Sequence, residues 1–361
     1  MNQTLDETQD ELRGLAAQIF AGRAGAEQVE AAQATEDGFD RDLWRALADA
    51  GLLGVAIPEE YGGLGFGSVE LGLVCEELGR AVAPAPLIAT GCAAALIAAT
   101  GTAEQRQRWL SAVADGSAVI AVAAPQSAVG LRRDGDRISG EVIGVAWAHV
   151  AALLLIPFGD NVFAIDPASS GVSSSRALTT GREVALTLIL DNVVAEQIGG
   201  ADAARWLRQR WLTTLAATQA GVTDGALRMT AAYTSTREQF GKPLSTFQSV
   251  ALKAADAYLD TTAIQAAARQ AAWSLDTGVD ATLAVLTAAW WAAEGGQHCV
   301  HLTQHLHGGM GADITYPVHR YFLWGKQIEL LIGGASATLA ELGDALAARP
   351  EAGDSIALVD R

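Results

Sequence analysis

The segment Arg237-Glu238-Gln239-Phe240-Gly241-Lys242-Pro243-Leu244-Ser245-Thr246-Phe247-Gln248 joins two long segments of helical apolar spacing and sets an arginine and a glutamine on either side of one tight turn. Arg237 ends the first segment, Gly241 and Pro243 turn the chain, Ser245 or Thr246 is placed to cap the second, and Gln248 falls in its first turn. Their side chains can therefore converge. A guanidinium fork matches a pyrophosphate, and backbone amides at a helix start add to an anion site. Further on, in His305-Leu306-His307-Gly308-Gly309-Met310-Gly311, the three glycines let backbone amides approach a phosphate with no Cβ in the way. The chemistry these residues suit is nucleotide binding. Each motif also has a plain alternative: a helix-end arginine in a surface ion pair, and an ordinary glycine helix terminator.

A metal is a second chemistry to weigh, because His298, His301, His305 and His307 lie close together and the first three would share a helix face. No acid or cysteine of ligand spacing accompanies them, since Cys299 points elsewhere on that helix. Packing and nucleotide roles are expected instead, and no metal. Cys75, Cys92 and Cys299 form no CxxC pair and argue against a disulfide scaffold.

The elements that must position these residues fall into three parts. From Leu5 to Gly116 apolar residues recur at helical spacing, as in Leu12, Leu15, Ala16 and Ile19, and Asp40 is placed to cap the helix that begins Arg41-Asp42-Leu43-Trp44. Around Ala118 the period becomes strand-like, with short runs at 118–124, 137–142, 150–156, 161–166 and 184–191, which predict a small antiparallel barrel or sandwich. From Ala201 the chain is helical again, with long segments at 201–235, 247–275, 280–305 and 317–348 that predict a bundle. The expected domains are 1–117, 118–198 and 199–361, an α+β protein. Trp290, Trp291 and the alanine stripes imply helices buried on more than one face, as at an oligomer interface.

Bulk composition narrows the partners. With 41 acidic against 24 basic side chains the formal charge is -17, which disfavours nucleic acid and anionic membrane. The start, Met1 to Leu12, is acidic and lacks the apolar core of a secretory signal. Pro86 to Ala99, the longest apolar run, is shorter than the ~20 residues of a membrane span and reads as a buried helix. The expected location is the cytoplasm.

The order of helical part, β part and helical bundle, with RxxFG at Arg237–Gly241, Phe247-Gln248, GGxG at Gly308–Gly311 and Tyr316-Pro317 after it, resembles the acyl-CoA dehydrogenase family of flavoproteins. The resemblance covers nearly the whole chain. It implies FAD as cofactor and an acyl-CoA thioester as substrate, with electrons leaving through an electron-transfer flavoprotein. It also implies that Arg237, Phe240, Phe247 and Gln248 reach the FAD of a neighbouring subunit, with Gly308, Gly309 and Gly311 at its phosphates. His305 stands where the family usually has a glutamine, with Gln304 beside it.

Two family features are missing. The glutamate that removes the α-proton is matched by Ile332, and its alternative location, in 205–214, holds tryptophans and arginines, with Trp211 near the matching position. Glu329, one turn before Ile332, is the nearby acid. The loop and strand that hold the flavin ring are matched by Ala123-Ala124-Pro125-Gln126-Ser127-Ala128 and Gly144-Val145-Ala146, without their hydroxyls. These losses resemble the heteromeric acyl-CoA dehydrogenases of actinobacteria, in which a catalytic subunit pairs with a degenerate one, here an expected α2β2 assembly acting on bulky esters such as steroid side chains. The alternatives are a self-sufficient homotetramer using Glu329, and a structural or regulatory pseudoenzyme.

Overall fold

Asp40 caps its helix as the sequence predicts, its carboxylate accepting from Asp42 N at 2.8 Å and Leu43 N at 3.1 Å. The computed structural model describes residues 5–349. Residues 1–4 and 350–361, which include the start of the acidic segment and the end of the expected bundle, lie outside the described residues.

Six helices come first: α1 (Glu7–Arg23), α2 (Ala26–Gln33), α3 (Arg41–Asp49), α4 (Ser68–Ala81), α5 (Leu87–Thr100) and α6 (Ala103–Ala114). The apolar run from Pro86 becomes α5, a core helix with Leu87, Cys92, Leu96 and Ile97 buried.

Eight strands follow: β1 (Ile120–Val122), β2 (Ala128–Asp134), β3 (Arg137–Ala146), β4 (Leu153–Phe158), β5 (Asn161–Ile165), β6 (Val172–Leu178), β7 (Val184–Val194) and β8 (Glu196–Ile198). They form two four-stranded sheets, ordered β1-β4-β5-β8 and β2-β3-β7-β6. A core that includes Ile138, Val142, Leu154, Ile156, Phe163 and Leu188 fills the β part. Within the otherwise antiparallel arrangement, β1 pairs with β4 in parallel. The pattern reading does not find β2, β6 and β8. The first two are mostly exposed edge strands with polar runs, and the third has three residues, so none shows the alternation that marks a half-buried strand.

The bundle comprises α7 (Ala203–Thr236), α8 (Gln248–Asp276), α9 (Thr282–Leu306), α10 (Val318–Ile332) and α11 (Ala335–Ala347). The single helix expected over 317–348 is two, broken at Gly333 and Gly334, whose φ values are 104° and 88°. By composition Val318–Ala347 is apolar and long enough to cross a membrane, but the break divides it. α4 crosses α7 at backbone contact: a Cβ on Gly221 would lie 1.8 Å from Glu76 O. Beside this crossing the Arg80 guanidinium joins Glu76, Glu77 and Asp224, so buried charges are paired across the two helices.

Candidate functional site

The two ends of α7 build two different sites. At its C-terminal end Arg237 N donates to Tyr233 O at 2.8 Å, and the chain folds into a hairpin of β9 (Glu238–Gln239) on β10 (Lys242–Pro243). Phe240 and Gly241 form the turn with φ of 55° and 78°, the left-handed pair a two-residue hairpin requires. Phe240 is 93% exposed and meets the edge of Phe247 at 6.2 Å, and Lys242 Nζ lies 4.3 Å from the Phe247 ring centre. Arg237 and Gln248 are exposed. Among the described residues the Arg237 guanidinium has no ion pair and no hydrogen bond.

The expected cap of α8 is corrected here. Leu244–Thr246 is a 3-10 turn, Thr246 Oγ1 donates back to Pro243 O at 2.7 Å, and Phe247 holds the N-cap position with no side-chain cap. The first amides of this helix therefore lack a side-chain acceptor and present positive ends to solvent.

α9 ends beside this turn. His307 is buried between Tyr233, stacked at 4.6 Å, and Tyr316, at 5.3 Å. Its Nδ1–H donates to Thr303 O at 2.8 Å, and Tyr233 OH donates to His307 O at 3.5 Å. Burial pushes the His307 pKa down, favouring the neutral ring. This stack ties the ends of α7 and α9 together and so brings the Arg237 turn and the glycine turn to one end of the bundle. The glycine turn, Gly308–Ala312, is a 3-10 segment. Gln304 Nε2 donates to Gly311 O at 2.7 Å, and a Cβ on Gly311 would lie 2.3 Å from Gln304 O. Among the described residues nothing stands within 4 Å of where a Cβ would be on Gly308 or Gly309. His305 is exposed and has no hydrogen bond among the described residues; Gln304 is the side chain that shapes the turn.

Near its N-terminal end, α7 faces the β part across a cavity of about 50 Å³. Its walls bring together Ala124, Gly144 and Ala146 from the β part with Trp211 from α7 and Trp324 and Leu331 from α10. Trp147, Trp211 and Trp324 fill the space and are buried, as is Ile332. Outside it, Gln126 Nε2 donates to Leu330 O at 3.2 Å and Leu331 O at 3.3 Å, and Arg208 grips Glu341 through two bonds of 2.7 and 2.6 Å. These contacts border an outer space of about 220 Å³ beside Ile332 and Gly333. Glu329 lines neither space; it pairs with Lys326, whose Nζ also donates to Gln297 Oε1 at 2.8 Å.

One acid on the inner wall, Glu183, escaped the sequence reading. Although the residue is partly exposed, burial of its carboxyl pushes the pKa up to about 7, against a smaller lowering by the Thr179 hydroxyl. It lies in the β6–β7 turn, where no motif marks it, and only the folding of β7 against the bundle brings it there.

Family models for the acyl-CoA dehydrogenase N-terminal domain and C-terminal domain match residues 6–117 and 205–344. The chain belongs to the acyl-CoA dehydrogenase family. It is 36% identical to the acyl-CoA dehydrogenase FadE27 of Mycobacterium tuberculosis, over 97% of this chain and 100% of that protein. A solved variant of the Tcur3481–Tcur3483 steroid ACAD superposes with a TM-score of 0.91 at 46% identity, covering 95% of this chain and 99% of that one. The ChsE4–ChsE5 complex from Mycobacterium tuberculosis gives a TM-score of 0.90 at 35% identity, covering 96% and 99%. Members of this family are FAD-dependent oxidoreductases acting on CH–CH bonds, and the helical, β and bundle order described above is their fold.

The residues of this acyl-CoA dehydrogenase fit that cofactor unequally. At the Arg237 end an unpaired guanidinium, uncapped helix amides and open glycines suit a pyrophosphate. At the Trp211 end the inner space is far below the roughly 300–1,000 Å³ of small-molecule pockets and admits a few waters at most, and the outer space of about 220 Å³ is also below that range. The ring of a flavin does not fit there.

Proposed function

We propose that this chain is the partner-dependent subunit of an FAD-dependent acyl-CoA dehydrogenase, lending its nucleotide half-site to a paralogous subunit that carries the catalytic base. The observation that carries this reading is the contrast between the filled inner cavity and the open Arg237 end of the same helix. Arg237, Phe240, Phe247, Gln248 and the amides of Gly308, Gly309 and Gly311 would hold the nucleotide portion of an FAD whose ring lies in the partner. Bound FAD supplies the acceptor for the hydride leaving the acyl β-carbon. This chain's own contribution is to bind and orient. A guanidinium neutralises pyrophosphate charge, helix-start amides add their positive ends, and the buried His307 stack keeps both turns at one end of the bundle.

Among the described residues no base is in place for the α-proton. Ile332 cannot accept it, Glu329 is paired with Lys326, and Glu183 faces a space that excludes an acyl chain. The α2β2 arrangement, a bulky acyl-CoA such as a steroid side-chain ester, and an electron-transfer flavoprotein as electron acceptor are part of this proposal. The likeness to a steroid ACAD and to the ChsE4–ChsE5 complex supports the first two.

The test is flavin content, by absorbance, of the chain purified alone and co-expressed with an acyl-CoA dehydrogenase encoded beside it. No flavin alone and about half an equivalent per chain in the complex is the expected result for a shared site. A full equivalent in the lone protein would sink the proposal and favour the homotetramer. A complex with full flavin and turnover that survives loss of this chain would favour the pseudoenzyme.

A further inference from the structure

On another face of α7 lies a separate cavity of about 280 Å³, bounded by α5, the start of α4 and the end of α8. Its walls are mainly apolar, with Pro58, Phe66, Leu71, Ala98 and Trp206 among them. One cation stands in it. The Arg210 guanidinium lies 3.5 Å from the centre of the Trp206 ring, and among the described residues it has neither an ion pair nor a hydrogen bond. Two other half-buried arginines differ, while Arg106 of α6 is likewise without an ion pair or hydrogen bond among the described residues. Arg80 is matched by three carboxylates, and Arg320 donates to Ala26 O at 2.6 Å.

The carboxylate on the wall, Asp276, does not neutralise Arg210. Its oxygens are committed to the first amides of α4, accepting from Ser68 N at 2.8 Å and Val69 N at 2.9 Å. Its field still reaches the guanidinium. Burial lowers the Arg210 pKa while Asp276 raises it, and the net shift is downward, the signature of a cation whose charge is incompletely matched. A stacked guanidinium held flat on an indole has its edge free for a planar two-oxygen acceptor.

We propose that this cavity binds a small monoanionic carboxylate with an apolar body, its carboxylate on Arg210 and its body against Phe66, Leu71 and Trp206. A carboxylate matches the fork in two parallel bonds. A single charge is selected because Asp276 repels a second. The volume sets the body at about one aromatic ring or a short branched chain. The site is distinct from the nucleotide half-site and does not depend on the shared-flavin proposal.

Phenylacetate is the probe, titrated calorimetrically into the full-length chain, with phenylacetamide and phenyl phosphate as matched bodies. Saturable one-site binding of phenylacetate is expected, weakened about tenfold or more by Arg210→Met and by replacing the carboxylate with the amide. Equal binding to Arg210→Met, tighter binding of phenyl phosphate, or no saturable binding of phenylacetate to the unaltered chain would overturn the proposal. Ala98→Phe fills the cavity and leaves Arg210 in place. It is expected to abolish binding, and retained binding there overturns the proposal even if Arg210→Met does not fold.

Discussion

Trp211 and Arg237 stand on one helix, about 40 Å apart along its axis, and have met opposite fates. Around Trp211 the inner space is walled mainly by apolar residues, among them Ala124, Ala146, Trp324 and Leu331, and Ile332 is buried. Around Arg237 the chain keeps an unpaired guanidinium, an exposed phenylalanine and uncapped amides. Apolar filling stabilises a fold by roughly 25 cal/mol per Å² buried, so the packed tryptophans contribute to this chain's own stability. Exposed aromatic and unpaired polar groups contribute nothing in return until something covers them. On the shared-site proposal, the second region has its use outside this chain.

Emptying the filled region is expected to have the largest effect. Trp324→Ala removes a buried ring from the cavity wall and is expected to destabilise the chain by about 3–5 kcal/mol, read by urea unfolding. A variant as stable as the parent would mean that the tryptophans do not serve as packing. The open region predicts the reverse. Arg237→Ala is expected to leave stability within about 0.5 kcal/mol, because the side chain is exposed and unpaired. In the co-expressed complex it is expected to weaken FAD retention by about 1.5–3 kcal/mol, the worth of a hydrogen bond to a charged group, read by flavin release on dilution. Unchanged retention would take the arginine out of the nucleotide site.

How legible this was depends on the kind of signal. Helices with amphipathic faces and caps, such as α1 and α3, show in the sequence because their period and end residues are local. The motif residues Arg237 and Gly308 show for the same reason, each being tied to a turn with its own chemistry. The edge strands β2 and β6 are hidden, since solvent rather than a core faces most of their side chains. So is the partition of roles between Gln304, which shapes the glycine turn, and His305, which faces solvent, because one residue of helix phase decides it. Glu183 and Arg210 are harder still. Their significance lies in what surrounds them, and their neighbours come from α5, α7 and α10 or from α4, α7 and α8.

Glu183 offers a gentler probe of the filled region. Its folded pKa is raised from 4.5 to about 7, so the native state holds a proton that the unfolded chain releases between those values. Stability from this group is fully present below about pH 4.5 and is lost as pH rises through about 7. Glu183→Gln keeps the shape and removes the titration. It is expected to match the parent near pH 4.5 and to be the more stable of the two above pH 7, with unfolding midpoints in urea as the measure. Parallel profiles would show that the carboxyl is hydrated and the cavity wetter than its walls suggest.

The smallest effect is expected at Glu329. Glu329 pairs with Lys326 three residues earlier, and the lysine keeps Gln297 as a second partner. Glu329→Gln should therefore cost no more than about 1 kcal/mol of stability. If the filled region is silent in catalysis, this substitution leaves turnover of the co-expressed complex unchanged in both kcat and kcat/KM, because no acyl α-carbon reaches it. A catalytic base behaves otherwise: removing a positioned proton acceptor lowers the rate by about 10²–10⁴-fold. Turnover of an acyl-CoA by the complex, compared between parent and variant, separates the two. A drop of that size would mean that α10 turns Glu329 toward a cavity that opens, and the filled and open regions would then have to be read as two states of one working site.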